Sequence, residues 1–296
     1  MKKINTINRR ETTALLDSGL FSLHDLNNFN YSPGLTKGKS LKKINGATNG
    51  YGTAMKTIGI IGGIGPQATI DLEMRIHKVA QQVLPQAQNG GYPPMIVEYY
   101  RHPPLLLSEN HFPVFPLQID PRLLAVAKKM GRMVDFLLLP TNGVHRFQNE
   151  IENASGRTLL SMIDATMDEV KKRKWKRVGV LGLMTLEIYT RRLTEMGITF
   201  EVVNAELQRQ IDKTIFRVME GRDDDNDRTI IVEAITDLRN KNVDGIIPGC
   251  TEIPLLLGKE MDAADLVNPA QLLAEAAVKF ALSGVISQYP HAASPE

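Results

Sequence analysis

The sequence predicts an α/β fold made of two similar lobes, each a mostly parallel sheet flanked by helices, with the active site in the cleft between them. Short apolar segments alternate with helical patterns, and the strands are mostly apolar on both faces, as in parallel sheets covered by helices. Two pairs of segments also resemble each other: TIGIIGG (57–63) matches RVGVLGL (177–183), and DFLLLPT (135–141) matches DGIIPGC (244–250). Their similar offsets indicate that the second half repeats the first.

The individual elements follow from local patterns in chain order. The first strand is a β-branched run that ends at Gly62 and Gly63, and Pro66 suits the first turn of the next helix. Helical spacing of apolar residues predicts the helices, and Gly131 marks the end of one of them. The predicted strands are 57–61, 95–99, 135–139, 177–181, 200–203 and 245–248. The predicted helices are 68–84, 121–131, one starting at 142, 162–174, 186–196, 207–220, 230–240 and 270–282.

Composition excludes several classes of protein. The 296 residues carry 35 Lys and Arg against 33 Asp and Glu, and this net charge of +2 argues against a nucleic-acid or membrane-surface partner. No apolar run approaches the ~20 residues that span a bilayer. A single cysteine, Cys250, makes no internal disulfide and no Cys-rich zinc site, so we expect a reducing, cytoplasmic location. The histidines show no metal-ligand spacing, so no metal is expected.

Residues 1–55 differ from the rest of the chain. They are rich in Asn, Ser, Thr, Gly and Lys, and the turn-forming segment 45–53 indicates a flexible linker. We expect a flexible N-terminal extension. Three alternatives for this segment stay open: a docking arm, an organelle transit peptide and an over-long gene start. The last is suggested by Met55, which stands just before the first strand. The predicted domains are the extension 1–55, a first lobe formed by 56–154 plus 272–290, and a second lobe formed by 155–271.

Thr141 and Cys250 stand at equivalent places in the repeat, where a strand ends and a helix begins. Ligands of parallel α/β sheets bind beyond the carboxyl ends of the strands. A helix N-terminus favours a small carboxylate, and its field lowers the pKa of a thiol. Cys250 is therefore a candidate base or nucleophile, with a buried structural cysteine as the alternative. For Thr141 the alternative is simple helix capping.

Three motifs in order resemble those of the aspartate/glutamate racemase family. KTIGIIGGIGPQAT (56–69) is similar to the family's opening, PTNGVH (140–145) to its first catalytic motif, usually Pro-Cys-Asn-Thr-Ala-His, and GCTEIP (249–254) to its second. The resemblance covers about residues 56–285. It implies a racemase of a small acidic amino acid, aspartate or glutamate, that needs no cofactor and uses two bases on opposite faces of the α-carbon. It also implies a homodimer.

Carried over residue by residue, the resemblance makes Cys250 one catalytic base and places Thr141 where the other cysteine usually stands. A hydroxyl is far less acidic than a thiol, so Thr141 is expected to need a helper or to act mainly as a proton donor. The family's Thr-bearing variants look like racemases that favour one direction. His145, four residues on, is the candidate helper because residues at that spacing share a face of an α-helix.

The substrate-binding candidates surround these two positions. Arg101, after the second strand, is expected to grip a side-chain carboxylate with two hydrogen bonds, with a surface arginine as the alternative. The resemblance implies that a further set of residues contributes to substrate binding: Asn142, Gly143, Thr251, Glu252, Thr185, Gly63 and Ile64.

Other functions stay open. A one-cysteine decarboxylase or isomerase of the same superfamily would use Cys250 alone, which suits the loss of the first thiol. A non-catalytic amino-acid-binding relative would keep the cleft and lose the chemistry. The segment GIGPQA (63–68) also fits a dinucleotide-binding pattern, although that interpretation leaves the matched Thr141 and Cys250 unexplained.

Overall fold

A computed structural model describes residues 55–84, 91–110, 113–183 and 187–282. The predicted extension therefore lies outside the described residues, apart from Met55, which is buried in the core of the first lobe. Thr185 and the predicted end of the first lobe, 283–290, also lie outside them.

The two predicted lobes are present, each around a three-stranded parallel sheet. In the first lobe, β1 (Ile58–Gly62) lies between β2 (Met95–Tyr99) and β3 (Phe136–Leu138), with Ile58 paired to Met95 and Phe136. In the second lobe, β4 (Arg177–Leu181) lies between β5 (Thr199–Glu201) and β6 (Gly245–Pro248). Each sheet thus has its first strand in the centre, which confirms the α/β fold and the repeat.

Helices cover both faces of both sheets. The helices are α1 (Pro66–Val83), α2 (Pro121–Met130), α3 (Gln148–Ser155), α4 (Met162–Lys172), α5 (Glu187–Glu195), α6 (Ala205–Met219), α7 (Asp225–Asn240), α8 (Glu252–Leu257) and α9 (Pro269–Leu282), with 3-10 helices at Asn142–Phe147 and Gly258–Asp262. In the first lobe, one face of the sheet packs against α1 and α9 and the other against α2 and α3. In the second lobe, one face packs against α6, α7 and α8, and the other against α4 and α5.

The last helix returns the chain to the first lobe. Leu273 and Ala277 of α9 are buried with Ile58 and Ile60 of β1, although the residues just before α9 belong to the second lobe. Leu272, on the same helix, packs against the second core. The chain therefore crosses between the lobes before α9, and the exact domain boundaries stay a prediction.

Three helical segments differ from their sequence prediction. The helix expected at 230–240 begins at Asp225, because the Asp224 side chain accepts hydrogen bonds from Asn226 N and Asp227 N in a capping box. The carboxylates of 223–227 thus start a helix. The segment after Thr141 begins as a 3-10 helix and becomes α-helical only at Gln148. The helix expected to begin at Cys250 is the six-residue α8, which begins at Glu252.

Candidate active site

Thr141 and Cys250 follow equivalent strands, β3 and β6, which lie on the same side of the central strand in their sheets. Each residue is partly buried beyond the carboxyl end of its strand. The helices that follow are short: six residues in the 3-10 helix Asn142–Phe147 and six in α8. The fold thus gives both residues the strand-end position in which parallel α/β sheets hold ligands.

Two contacts join these strand ends across the lobes. The hydroxyl of Tyr189, from α5, donates a 2.5 Å hydrogen bond to Oδ1 of Asn142, the residue after Thr141. The same tyrosine packs on Gly249, the residue before Cys250, so closely that a Cβ there would lie 3.0 Å from its Cδ2 atom. On the other side, a Cβ at Gly65 would lie 3.0 Å from Oε1 of Glu252. The residues flanking Thr141 and Cys250 are therefore linked through Tyr189, and Glu252 lies against the loop of the opening motif.

The Cys250 thiol is held by a carboxylate. Its Sγ donates a hydrogen bond to Glu252 Oε2 at 2.8 Å, and the Thr251 hydroxyl donates to the same oxygen at 3.1 Å. Thr251 and Glu252 are both buried. Burial and the adjacent Glu252 charge raise the pKa of Cys250 well above its ordinary value. The expectation of a lowered thiol pKa is therefore wrong, because the thiol is buried against a carboxylate.

Thr141 does not cap the helix that follows it. Its backbone is extended, with φ of −151°, and its side chain makes no capping hydrogen bond. The capping alternative is thus wrong, and within the described part of the chain no hydrogen bond holds the hydroxyl in place. The Thr141 hydroxyl is thus not committed to the helix that follows, at a position equivalent to that of Cys250.

His145, the candidate helper, is buried and neutral. Its Nε2 lies 3.1 Å from the carbonyl oxygen of Leu139, whereas its Nδ1 has no partner among the described residues. Burial lowers the pKa of His145 to about 4. In a 3-10 helix residues three apart share a face, so the α-helical spacing assumed for Thr141 and His145 does not apply. The helper role stays a prediction.

The buried His145 is expected to make the fold acid-sensitive. The unfolded chain takes up this proton near pH 6.5, whereas the folded protein resists it down to about pH 4. Unfolding is therefore favoured as the pH falls through this window, by up to about 3 kcal/mol. In His145→Gln, whose amide keeps a donor for Leu139, the loss of unfolding free energy between pH 7 and 4.5 should be smaller by about 2 kcal/mol. Urea unfolding at both pH values measures it, and equal losses in the two proteins would contradict the assignment.

The opening motif forms a tightly fixed loop against Glu252 of the second lobe. Gly63 has a φ of +81°, and a Cβ there would meet the backbone of Tyr99 and Tyr100 at 2.9 Å, so only glycine fits. The buried Thr69 hydroxyl accepts from Gly63 N and donates to Gly65 O, which fixes the loop that carries Ile64.

The other predicted binding residues fall into two groups. Asn142 is buried and Gly143 is partly buried beside it. Arg101 is exposed, and its Nη1 donates to the Gly63 carbonyl oxygen at 3.2 Å, which places its guanidinium at the edge of the opening motif. Thr185 lies outside the described residues. These roles stay predictions, although the residues that can be located lie around the same strand ends.

Two residues that the sequence interpretation missed are Tyr189 and Thr69. Two signals were present for them. Tyr189 ends the segment 181–189, which resembles a family stretch that closes with a tyrosine, and a buried tyrosine hydroxyl needs a partner. Thr69 is the last residue of the opening motif 56–69. The sequence does not show the partners of their hydroxyls, which are Asn142 for Tyr189 and the backbone of Gly63 and Gly65 for Thr69.

In the described ranges, no group of three His, Cys, Asp or Glu side chains is arranged to hold a metal ion. Nor is any helix of those ranges long and apolar enough to cross a membrane.

Known proteins share this sequence pattern and this fold. The model of the family Asp/Glu/Hydantoin racemase matches residues 61–277. The broad specificity amino-acid racemase RacX of Bacillus subtilis (strain 168) is 22% identical over 224 residues, which are 75% of this chain and 96% of RacX.

Solved structures agree on the fold. The Picrophilus torridus aspartate racemase superposes with a TM-score of 0.60 at 24% identity, over 76% of this chain and 94% of its own. An aspartate racemase homologue from Pyrococcus horikoshii OT3 gives 0.59 at 23% identity, over 77% and 99%.

The family match extends over most of the chain, from the end of β1 to α9, and includes both catalytic motifs and the opening motif from residue 61 onward. It confirms the predicted enzyme class, a racemase, at the level of the family. On this match, the chain belongs to the Asp/Glu/Hydantoin racemase family.

Proposed function

We propose that this protein racemises a small acidic amino acid, aspartate or glutamate, without pyridoxal phosphate, by moving the α-proton between Cys250 and Thr141. The observation that carries the proposal is the Cys250 thiol bonded to Glu252 at one strand end, with an uncommitted Thr141 hydroxyl at the equivalent strand end. An inversion needs one proton-transfer group on each face of the α-carbon. The repeated lobes supply such a pair.

Glu252 gives Cys250 the proton acceptor that it lacks on its own. Because the resting thiol is protonated, Glu252 takes its proton as substrate binds, and the thiolate then removes the α-proton and becomes a thiol again. The Thr141 hydroxyl protonates the carbanion from the opposite face. Solvent returns a proton to the Thr141 oxygen, and Glu252 releases its proton to solvent, so each turnover leaves the enzyme unchanged.

Neighbouring polar groups stabilise the negative charge that develops next to the α-carbon. Asn142 Nδ2 and the backbone N–H of Thr251 are donors suited to the α-carboxylate. Arg101, at the edge of the opening motif, suits the side-chain carboxylate because a guanidinium grips a carboxylate with two hydrogen bonds. Gly63, Ile64 and Gly143 shape the walls around these groups.

The test is incubation of each enantiomer of aspartate and glutamate in deuterated water. Inversion detected by chiral chromatography, with deuterium at the α-carbon detected by NMR, is the expected result for at least one pair. If no enantiomer of either amino acid inverts or gains deuterium, the proposal is wrong. Full activity after treatment with hydroxylamine, which removes pyridoxal phosphate, is the control for the cofactor.

The Cys250–Glu252 pair predicts how the thiol titrates. Cys250 is the only cysteine, so alkylation of the protein by iodoacetamide reports on it alone. Replacing Glu252 by Gln removes a charge that opposes the thiolate, so the alkylation midpoint should move to lower pH while burial still keeps it raised. Racemisation should fall about 100-fold, because the proton acceptor is lost.

Glu252→Asp, which keeps a carboxylate, is the matched control and should stay closer to the wild type in both measurements. An unchanged alkylation midpoint in Glu252→Gln would show that the carboxylate does not act on the thiol.

A one-cysteine reaction is the second candidate, because the Cys250–Glu252 pair is complete without Thr141. Such an enzyme would protonate a carbanion left by loss of carbon dioxide. Release of carbon dioxide from malonate-type acids, lost in Cys250→Ser, would support this candidate over the racemase.

Assembly and location are part of the proposal as well. We propose a cytoplasmic homodimer that acts on a small-molecule substrate. Light scattering of the purified chain tests the dimer.

A further inference from the structure

A buried hydrogen bond connects the two lobes at the candidate site. The Tyr189 hydroxyl, on α5 of the second lobe, lies 2.5 Å from Oδ1 of Asn142, which follows the first-lobe strand β3. Tyr189 is fully buried and Asn142 is 5% exposed. Water therefore competes little for this bond, and the two side chains hold each other's orientation.

The bond decides which end of the Asn142 amide is left without a partner. An amide has an acceptor end and a donor end, and a rotation by half a turn exchanges them. Tyr189 occupies the oxygen, whereas Nδ2 has no hydrogen-bond partner among the described residues although it is buried. Buried amide donors are nearly always partnered in folded proteins, so an unpartnered one next to Thr141 points to an acceptor supplied by a ligand.

Tyr189 is itself held in place from several sides. Its ring belongs to the core that contains Leu193 and Ile247, and it lies so close to Gly249 that a side chain there would collide with it. Burial raises the pKa of the phenol, with nearby Cys250 adding to the effect, so the hydroxyl stays protonated and remains a donor. A rigid donor of this kind fixes the flip of the amide it contacts.

We propose that Tyr189 is a positioning residue that orients the Asn142 amide so that its Nδ2 donates to a carboxylate of the substrate. The inference deepens the proposed function and rests on it for the identity of the substrate. The chemistry recognised is a carboxylate oxygen, because the amide end that remains open is a donor. Tyr189 touches no reacting atom and acts through Asn142.

The test is Tyr189→Phe, which removes the hydroxyl and keeps the ring. The KM for the racemised amino acid is expected to rise about tenfold, the effect of one buried hydrogen bond, with kcat changing much less. Asn142→Ala should raise KM at least as much. In the double variant the tyrosine change should have no further effect, because its hydroxyl then has no amide to orient.

Tyr100→Phe is the matched control. Tyr100 is also buried, but its hydroxyl donates to the backbone carbonyl of Pro103 rather than to Asn142. It should leave KM unchanged. If Tyr189→Phe lowers kcat and the unfolding temperature while KM stays constant, or if its effect adds fully to that of Asn142→Ala, the hydroxyl has only a structural role and the inference is wrong.

A binding experiment separates this inference from the racemase proposal. Succinate carries carboxylates but no α-amino group, and calorimetry measures its binding without turnover. Weaker binding to Tyr189→Phe, by about tenfold, supports the positioning role even in a protein that inverts no amino acid. Equal affinities for the two proteins, or no binding by the wild-type chain, would overturn the role even if racemisation is observed.

Discussion

Replacing Cys250 by Ser is expected to reduce racemisation at least about 1000-fold, the largest effect of any single substitution in this chain. A serine hydroxyl is several pKa units less acidic than a thiol, so Glu252 cannot convert it into an effective base. With Thr141 opposite, the variant would have hydroxyls on both faces of the substrate. Chiral chromatography of aspartate and glutamate over long incubations measures the residual rate.

Two controls separate a lost base from a lost fold. Cys250→Ser should still bind succinate and should unfold at nearly the wild-type urea concentration, because Cys250 is only partly buried and serine has nearly the same size. Iodoacetamide should inactivate the wild type and leave the variant unlabelled. A variant that retains a tenth or more of the wild-type activity would exclude Cys250 as a base.

Replacing Thr141 by Ala is expected to separate proton exchange from inversion. Racemisation should fall about 100-fold or more, because no group remains to protonate the second face. The enantiomer whose α-hydrogen faces Cys250 should still exchange that hydrogen with deuterated water, since the thiol can return a solvent-derived deuteron to the same face. The opposite enantiomer should neither exchange nor invert. NMR of each pure enantiomer follows both processes at once.

Thermodynamics determines which measurement can distinguish the two enantiomers. Enantiomers have equal free energies in water, so kcat/KM must be the same in both directions whatever groups flank the α-carbon. Two groups of different acidity, such as Cys250 and Thr141, therefore cannot give the two enantiomers different kcat/KM values. Their difference is detected by comparing, for each enantiomer, the rate of α-hydrogen exchange with the rate of inversion.

The matched variants at position 141 test the chemistry. Thr141→Ser keeps the hydroxyl and should retain most of the activity. Thr141→Cys introduces a more acidic group and should raise kcat/KM about tenfold or more, equally in both directions. If Thr141→Ala inverts substrate as fast as the wild type, the hydroxyl is not a catalytic group, and the one-cysteine reaction becomes the better interpretation.

Much of the fold was predictable because its signals are local. The repeated strand segments, such as 57–63 and 177–183, place an apolar strand at the centre of each sheet, and every predicted strand is present. The errors lie at helix boundaries. The start of α7 depends on a side-chain capping box at Asp224, and the turn after Thr141 is too tight for an α-helix. In both places a few hydrogen bonds decide where the helix begins, and the spacing of apolar residues does not predict those hydrogen bonds.

The candidate site was predictable in part. Thr141 and Cys250 could be singled out because each follows a strand in the repeat. The protonation state of Cys250 could not be predicted, because the sequence suggested a lowered thiol pKa whereas burial and Glu252 raise it in the structure. The direction depends on burial and on the rotamer that brings Glu252 against the sulfur, and neither follows from the order of residues.

By itself the sequence determined the two-lobed α/β fold, the family and the pair of strand ends that carry a hydroxyl and a thiol. These properties are encoded by residues close together in the chain and by motifs that recur at similar spacing. The tertiary structure alone decided that the Cys250 thiol meets a carboxylate, that Thr141 is not a helix cap, and that Tyr189 reaches across the lobes to Asn142. Those contacts set protonation states and amide orientation, which depend on packing between distant segments.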